Sequence, residues 1–505
     1  MTDSDDQVEF PNRVYAQTVL KPLFEDTRNN FLPALCRVNR AHCVMLANCN
    51  LLSADQASKV ASGLIRVEQD LKEKTVAYDP KQEDLFFVIE TRLSEAIGPD
   101  LAGRLHTGRS RNDMDHTIFR LELLNHIDHL AASAIRLAET LYLKSVREAR
   151  TIVVAYTHGQ PAQPTTFGHY IAGALEVLLR DITRLLAARQ DVDRSPMGAA
   201  AITTTGFEID RQKVSDLLGF AAPTENSYVS IAGVDYLTAT YSSLKLLLLH
   251  LGRTVQDMQF WTSLEVAQLH VPDDLVQISS IMPQKRNPVP IEHMRLLASR
   301  GMGEAETIIS TMHNTPFTDM NDSEGTMQVT GYRAFETAER VMALLSTFVE
   351  KCSIKTDMVA QNIDRSCITI TELADTLVRD EGLSFREAHE ICGDVARQVL
   401  ASGGTLQGNG HTFLAKAFSA RMSRPVNMTA QAYAQVVSPE HFVAVRERPG
   451  GPGPMAMQAS SAVYRETIDG FTQHLNAAQN RKTEADEKLR TAFAELHQAE
   501  HQGKP

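Results

Sequence analysis

Along most of the chain, apolar and polar positions alternate with the period of helices rather than of strands. From Asp113 to Arg150 there is no Gly or Pro, and Ile118, Leu121, Leu124, Ile127, Leu130 and Ala131 recur at mostly three-residue steps. That spacing lines one face of an α-helix. A second run, Tyr236 to Ala267, carries Leu244, Leu246, Leu247, Leu248 and Leu251. A segment so nearly apolar all round predicts a helix buried inside a bundle. A third run begins at Pro288 and continues past Arg295 toward His313, and a fourth covers Met327 to Cys352. Strand-like alternation is scarce. The pattern predicts an all-α fold built on a central bundle of long helices.

Breakers and tails divide the rest. The segment Arg448–Pro454, RPGGPGP, predicts a break before a C-terminal helical unit. Met1–Tyr15 is expected to be a loose arm. Ala478–Pro505, rich in Lys, Glu and Gln, is expected to be a solvated helix that frays. The organisation expected is an N-terminal helical domain over 1–112, a central bundle over 113–364 and a C-terminal helical domain over 365–505.

Composition narrows the function classes. With 43% hydrophobic and 22% charged residues the 505-residue chain is an ordinary globular protein, long enough for more than one packed layer. A net charge of −12 argues against a nucleic-acid partner, which would need a basic stripe. Six cysteines form no CxxC pair and no Cys/His cluster with metal-ligand spacing, as expected of thiols in a reducing cytoplasm. The acidic start MTDSDDQVEF has neither part of a signal peptide, and the apolar stretch Leu244–Leu251 is too short to span a membrane. No glycine loop for a phosphate cofactor is evident; Gly301 and Gly303 fall inside a helical run. The expectation is therefore a cytoplasmic protein with a small-molecule partner, no membrane, no cofactor and no metal.

Three loops carry candidate chemistry. The first is Ser279-Ser280-Ile281-Met282-Pro283-Gln284-Lys285-Arg286-Asn287-Pro288. It offers two hydroxyls, an ammonium and an amide. It is expected to lead into a helix with Asn287 as N-cap and Pro288 at the first helical position. A helix N-terminus beside Lys285 suits a carboxylate, above all one whose charge grows during reaction. The second loop, Leu105 to Asp113, reads LHTGRSRND and places Arg109 and Arg111 with Ser110 and Asn112 before a long helix. Guanidinium forks pair with carboxylates, although either Arg could equally make a structural ion pair. The third, Tyr156-Thr157-His158-Gly159-Gln160-Pro161-Ala162-Gln163-Pro164 with Gly168-His169 after it, holds an imidazole able to move a proton.

SSIMPQKRNP resembles the signature of the fumarase, aspartase and argininosuccinate lyase superfamily, with Ile278 where a glycine is usual. LHTGRSRND resembles the argininosuccinate lyase branch in particular, and the third loop resembles the THxQxAQPxxxGH element. The resemblance spans roughly Tyr15 to Pro454 and includes PMGAAAITTTGFEID and the GGPGP breaker. It implies β-elimination of an N-substituted aspartate to fumarate and an amine. Ser279 is then the expected general base, with Ser280 as second candidate. His158, oriented by Glu292, would be the proton donor to nitrogen, and Lys285 would stabilise the aci-carboxylate intermediate. Ser110, Arg111, Asn112, Thr157, Met282 and Asn287 would contact substrate, and His169 would be structural. The resemblance further implies a homotetramer whose active sites each draw loops from three chains.

The amine half departs from that pattern. Where argininosuccinate lyases carry an element like PLAYNKDLQEDKE, this chain reads Pro316 to Met327 as PFTDMNDSEGTM, so Asp319, Glu324 and Met327 replace Tyr, Gln and Lys. Phe86 replaces a histidine after Glu83-Asp84. Losing a Lys and gaining acids disfavours an amino-acid carboxylate and favours a cationic amine. Length and the rebuilt segment resemble the ethylenediamine-N,N'-disuccinate (EDDS) lyases, with argininosuccinate cleavage as the alternative. A remote alternative is an inactive, crystallin-like structural homologue. It would be favoured by loss of Ser279, His158, Lys285 or Glu292, and all four are present.

Overall fold

The computed structural model describes residues 10–73 and 76–502, so part of the expected N-terminal arm and the last three residues lie outside it. The chain begins with helical segments over residues 13–30, so the end of the expected loose arm, Arg13–Tyr15, is already helical, capped by Asn12. Three longer helices follow: α1 (Leu32–Asn48), α2 (Ala54–Glu73) and α3 (Leu85–Ile97). Helix α4 (Arg111–Arg147) follows, capped by Ser110 and Asp113 in a reciprocal capping box. Its 37 residues give it a length of about 55 Å. A hairpin of β1 (Ile152–Thr157) and β2 (Gln160–Thr166) then reverses the chain into α5 (Phe167–Val192).

Helix α6 (Asp235–Thr262) is the Leu-rich run. Two short antiparallel strands, β3 (Gln277–Ile278) and β4 (Arg286–Asn287), frame the Ser279 loop before α7 (Val289–Met312) and α8 (Gly325–Lys351). The four long helices expected from periodicity are thus all present. Asn287 is not the helix cap that the sequence suggests. Its backbone pairs with Gln277 in the β3–β4 ladder, so the helix starts two residues later with Pro288 at the cap and no side-chain capping bond.

Helices α4, α5, α6, α7 and α8 pack as a ring in which successive helices run in opposite directions, and α8 closes the ring parallel to α4. The guanidinium of Arg120 lies 3.9 Å over the Tyr236 ring, which sets the start of α6 beside the start of α4. At the other end, Trp261 of α6 packs 4.5 Å from Tyr170 near the start of α5. Lys144, near the end of α4, donates to the carbonyl of Cys352 at 2.6 Å, just past the end of α8. The bundle therefore has a first end, with the starts of α4, α6 and α8, and a second end, with the β1–β2 hairpin and the starts of α5 and α7.

One continuous core joins the N-terminal helices to the bundle, with Phe31, Phe335, Tyr241 and Leu248 fully buried in it. A separate small core lies among α9 (Ile370–Glu381), α10 (Phe385–Ser402) and α11 (Leu406–Met422), centred on Leu377, Ile391, Val395 and Phe418. After the Arg448–Gly453 turn, α12 (Pro454–Gln502) leaves that unit and runs back along the bundle. The expected unit 365–505 thus holds two differently packed parts. The expectation of a fraying tail from Ala478 is corrected: Ala478, Ala485, Leu489 and Phe493 recur on one face and are buried. Arg481 pairs with the buried Asp193, and Arg40 covers the Phe493 ring at 5.0 Å. The stretch looked solvated because a single apolar stripe is diluted by polar residues on every other face. Among the described residues, no helix is long and apolar enough to cross a membrane.

Candidate active site

At the first end, Ser110 takes the N-cap position because its hydroxyl accepts the Asn112 N–H at 3.3 Å. Arg109 is buried, with its guanidinium donating to Asn39 at 2.8 Å, and burial pulls its pKa down to about 10. His42 Nε2 lies 3.0 Å from the Thr107 carbonyl, a second anchor from α1. Of the two arginines, Arg109 is therefore structural. Arg111 stays partly exposed, but it pairs with Asp84 at 2.6 Å and Glu83 at 3.5 Å and lies 4.9 Å over the Phe87 ring.

Asn112 donates from Nδ2 to Asp319 at 2.7 Å, which brings the rebuilt 316–327 segment against the second loop. Four carboxylates collect there. Asp115 has no hydrogen-bond partner among the described residues, and burial, then Glu324 and Asp84, push its pKa well above the usual carboxylate range, with Arg111 opposing. Burial and then Asp319 raise Glu324 in the same way. His116, 1% exposed, faces Asp319 through Nε2 at 3.4 Å, while its Nδ1 has no partner among the described residues. Asp115 and His116 were not singled out by sequence reasoning. The signal was available: Asp115 stands three and four residues after Asn112 and Arg111, on the same helix face. The arrangement is an anionic patch held by one arginine, suited to an ammonium.

At the second end, the β1–β2 hairpin closes with a two-residue turn. His158 and Gly159 both adopt positive φ, +53° and +72°, between the paired Thr157 and Gln160. Such a turn matches the twist of the strands and is easy only for glycine at both positions, so the His158 backbone is held at some cost. Thr157 and His158 are both exposed. His169 is engaged structurally, with Nδ1 at 2.8 Å from Thr165 Oγ1 and Nε2 at 3.0 Å from the Gly450 carbonyl.

The Ser279 loop projects from the same end. Its base is fixed by Arg286, which pairs with Asp273 and donates to the Val271 carbonyl at 2.8 Å. The Ser279 hydroxyl oxygen accepts the N–H of Met282 at 3.1 Å and that of Ile281 at 3.4 Å. Two backbone donors on one oxygen favour its deprotonated form. Ser280 is exposed and has no hydrogen-bond partner among the described residues. Lys285 and Glu292 are also exposed, and neither pairs with another side chain among the described residues. Within one chain, His158 and Glu292 are not brought into contact.

The two ends are separated by the full length of α4, about 55 Å. Six hairpin residues beyond that helix reach back about 20 Å at most. A single chain therefore cannot unite Ser110, Arg111 and Asn112 with Ser279, Lys285 and His158.

Comparison with known proteins agrees with the fold. The Lyase family model matches residues 24–303, and the Argininosuccinate lyase C-terminal model matches residues 367–444. The chain belongs to the argininosuccinate lyase branch of the fumarase/aspartase superfamily. "Argininosuccinate lyase 2" of Agrobacterium fabrum is 53% identical to it, over 97% of both chains. "Argininosuccinate lyase" of Methanocaldococcus jannaschii is 31% identical, over 90% of both. Among solved structures, EDDS lyase in complex with formate superposes with a TM-score of 0.85 at 26% identity, covering 96% of this chain and 97% of that one. A class II fumarase from Schistosoma mansoni, 15% identical with a TM-score of 0.66, shares the fold. Like its relatives in this branch, the chain is a carbon–nitrogen lyase.

Proposed function

We propose that this lyase splits an N-substituted aspartate into fumarate and a cationic di- or polyamine, in the cytoplasm, as a homotetramer whose sites each take loops from three chains. The observation that carries the amine assignment is the patch of Asp84, Asp115, Asp319 and Glu324 against Asn112. Four carboxylates facing one guanidinium repel a carboxylate on the leaving amine and attract an ammonium. Among diamine substrates, N-(2-aminoethyl)aspartate, whose far end is a free ammonium, fits this patch better than EDDS, whose far end carries two carboxylates.

The chemistry balances as follows. Ser279, as alkoxide, takes the proton from the carbon next to the carboxylate that is not α to nitrogen, and Lys285 with the loop amides holds the resulting aci-carboxylate. The electron pair then forms the C=C bond as the C–N bond breaks. His158 gives its proton to the departing nitrogen, with Glu292 of another chain behind it. Ser110, Arg111, Asn112, Thr157, Met282 and Asn287 bind the succinyl part. The Ile281 and Met282 N–H bonds to Ser279 favour it over Ser280 as base. The antiparallel bundle supports shared sites, since it holds the two sets of loops at opposite ends of each chain.

Argininosuccinate is the second reading, favoured by the 53% identity to the Agrobacterium protein. Fumarate absorbance during incubation with N-(2-aminoethyl)aspartate, (S,S)-EDDS and argininosuccinate tests the choice. Turnover of a diamine substrate is expected; turnover of argininosuccinate alone would sink the amine assignment and leave the lyase class standing.

A further inference from the structure

We infer that Asp113 is a positioning residue for the substrate-binding loop, acting by tying Ser110 to the Met197–Ala200 turn. The inference rests on the reading of Ser110–Asn112 as the loop that binds the fumarate part. Asp113 is 0% exposed. One carboxylate oxygen accepts the Ser110 N–H at 2.8 Å, which is all that a capping box requires. The other oxygen accepts two more backbone donors, Gly198 N–H at 2.8 Å and Ala200 N–H at 3.0 Å, from a turn more than eighty residues along the chain.

That turn is shaped for the contact. Gly198 has φ +83°, and a side chain there would collide with Arg211 Cγ at 2.6 Å. Ala200 also adopts positive φ, +51°, a conformation that persists only where the surroundings enforce it. Arg211 supports the turn from its other side, donating from Nε to the Met197 carbonyl at 3.0 Å and from Nη2 to Thr224 Oγ1 at 2.9 Å. On the opposite flank, Asn39 and His42 hold Arg109 and Thr107. Ser110 and Asn112 are thus clamped between α1 and the turn, with Asp113 as the link to the turn.

An amide at this position can accept through only one atom and offers N–H groups to N–H groups. In D113N, with helicity and assembly unchanged, the substrate KM and the inhibition constant of fumarate are expected to rise about 10²-fold, the scale of a 1 Å misplacement. R211K keeps the charge but loses the fork. It is expected to shift both constants in the same direction by less, and it supplies the result should D113N fail to fold. Lower heat stability in both variants with unchanged fumarate inhibition would reduce Asp113 to a stabilising role and overturn the inference. Fumarate affinity of the unsubstituted protein separates the two claims. Binding there that survives both substitutions overturns the positioning role alone, whereas no binding there overturns the reading of the loop and this inference with it.

Discussion

Asn112 Nδ2 lies 2.7 Å from Asp319 Oδ2, so the loop assigned to the fumarate part is bonded to the segment assigned to the amine part. The two halves of the proposed substrate site therefore meet at one hydrogen bond in each chain. Around it, partly buried carboxylates lacking enough cations make the free site electrostatically incomplete, and a cationic ligand would complete it.

Relief of that repulsion is measurable without any turnover. D115N removes a partly buried carboxylate that faces Glu324, Asp84 and Asp319. It is expected to stabilise the ligand-free protein by about 1 kcal/mol and to weaken binding of ethylenediamine. Thermal unfolding with and without the diamine checks both; a destabilised variant that binds the amine unchanged would contradict the patch.

The same groups give a pH dependence with a definite sign. Asp115 and Glu324 have folded pKa values raised above their unfolded ones. Their native forms hold protons longer, so these groups favour folding at acid pH, and that contribution is lost as pH rises through the raised values. Stabilisation by ethylenediamine should run the other way, being small where both carboxyls are protonated and growing as they ionise. Melting temperatures across that range, with and without diamine, test it; equal stabilisation at all pH values would argue against these two carboxylates as its ligands.

In the second-end loop, S279A is expected to lower kcat by about 10²–10⁴-fold while assembly stays intact, and S280A should do far less. K285M should cost about 10²–10³-fold in kcat. Steady-state rates with size-exclusion controls distinguish loss of chemistry from loss of structure; an active S279A chain would move the base to Ser280.

Shared sites predict rescue by mixing. A chain inactivated in the first-end loop, such as N112A, and one inactivated at the second end, H158N, are each expected to be dead alone. Reassembled together at equal amounts, about a quarter of the sites should combine two intact loops. No recovered activity after verified co-assembly would contradict sites built from different chains.

Much of this was legible in the sequence, because long Pro-free runs with helical period can bury their apolar face in few other ways. Four of the five bundle helices stand where periodicity sets them, α5 being the one not read from it, and the motif loops fall at their ends. What escaped depended on tertiary partners. Asn287 looks like a helix cap until Gln277 claims its backbone. Ala485, Leu489 and Phe493 look isolated among charges until they are seen lining the face of α12 that packs on the bundle. Asp115 shares a helix face with Arg111 and Asn112, but the approach of Glu324 and Asp319 is what makes it part of a partly buried anionic patch.

The most direct test of the central claim runs the reaction backwards with competing amines. Fumarate is supplied with equal concentrations of ethylenediamine and arginine, and the adducts are identified by mass spectrometry. The account predicts N-(2-aminoethyl)aspartate as the main product, with that product lost in S279A. Argininosuccinate as the main product would contradict the assignment of Asp115, Asp319 and Glu324 to a cationic, carboxylate-free amine.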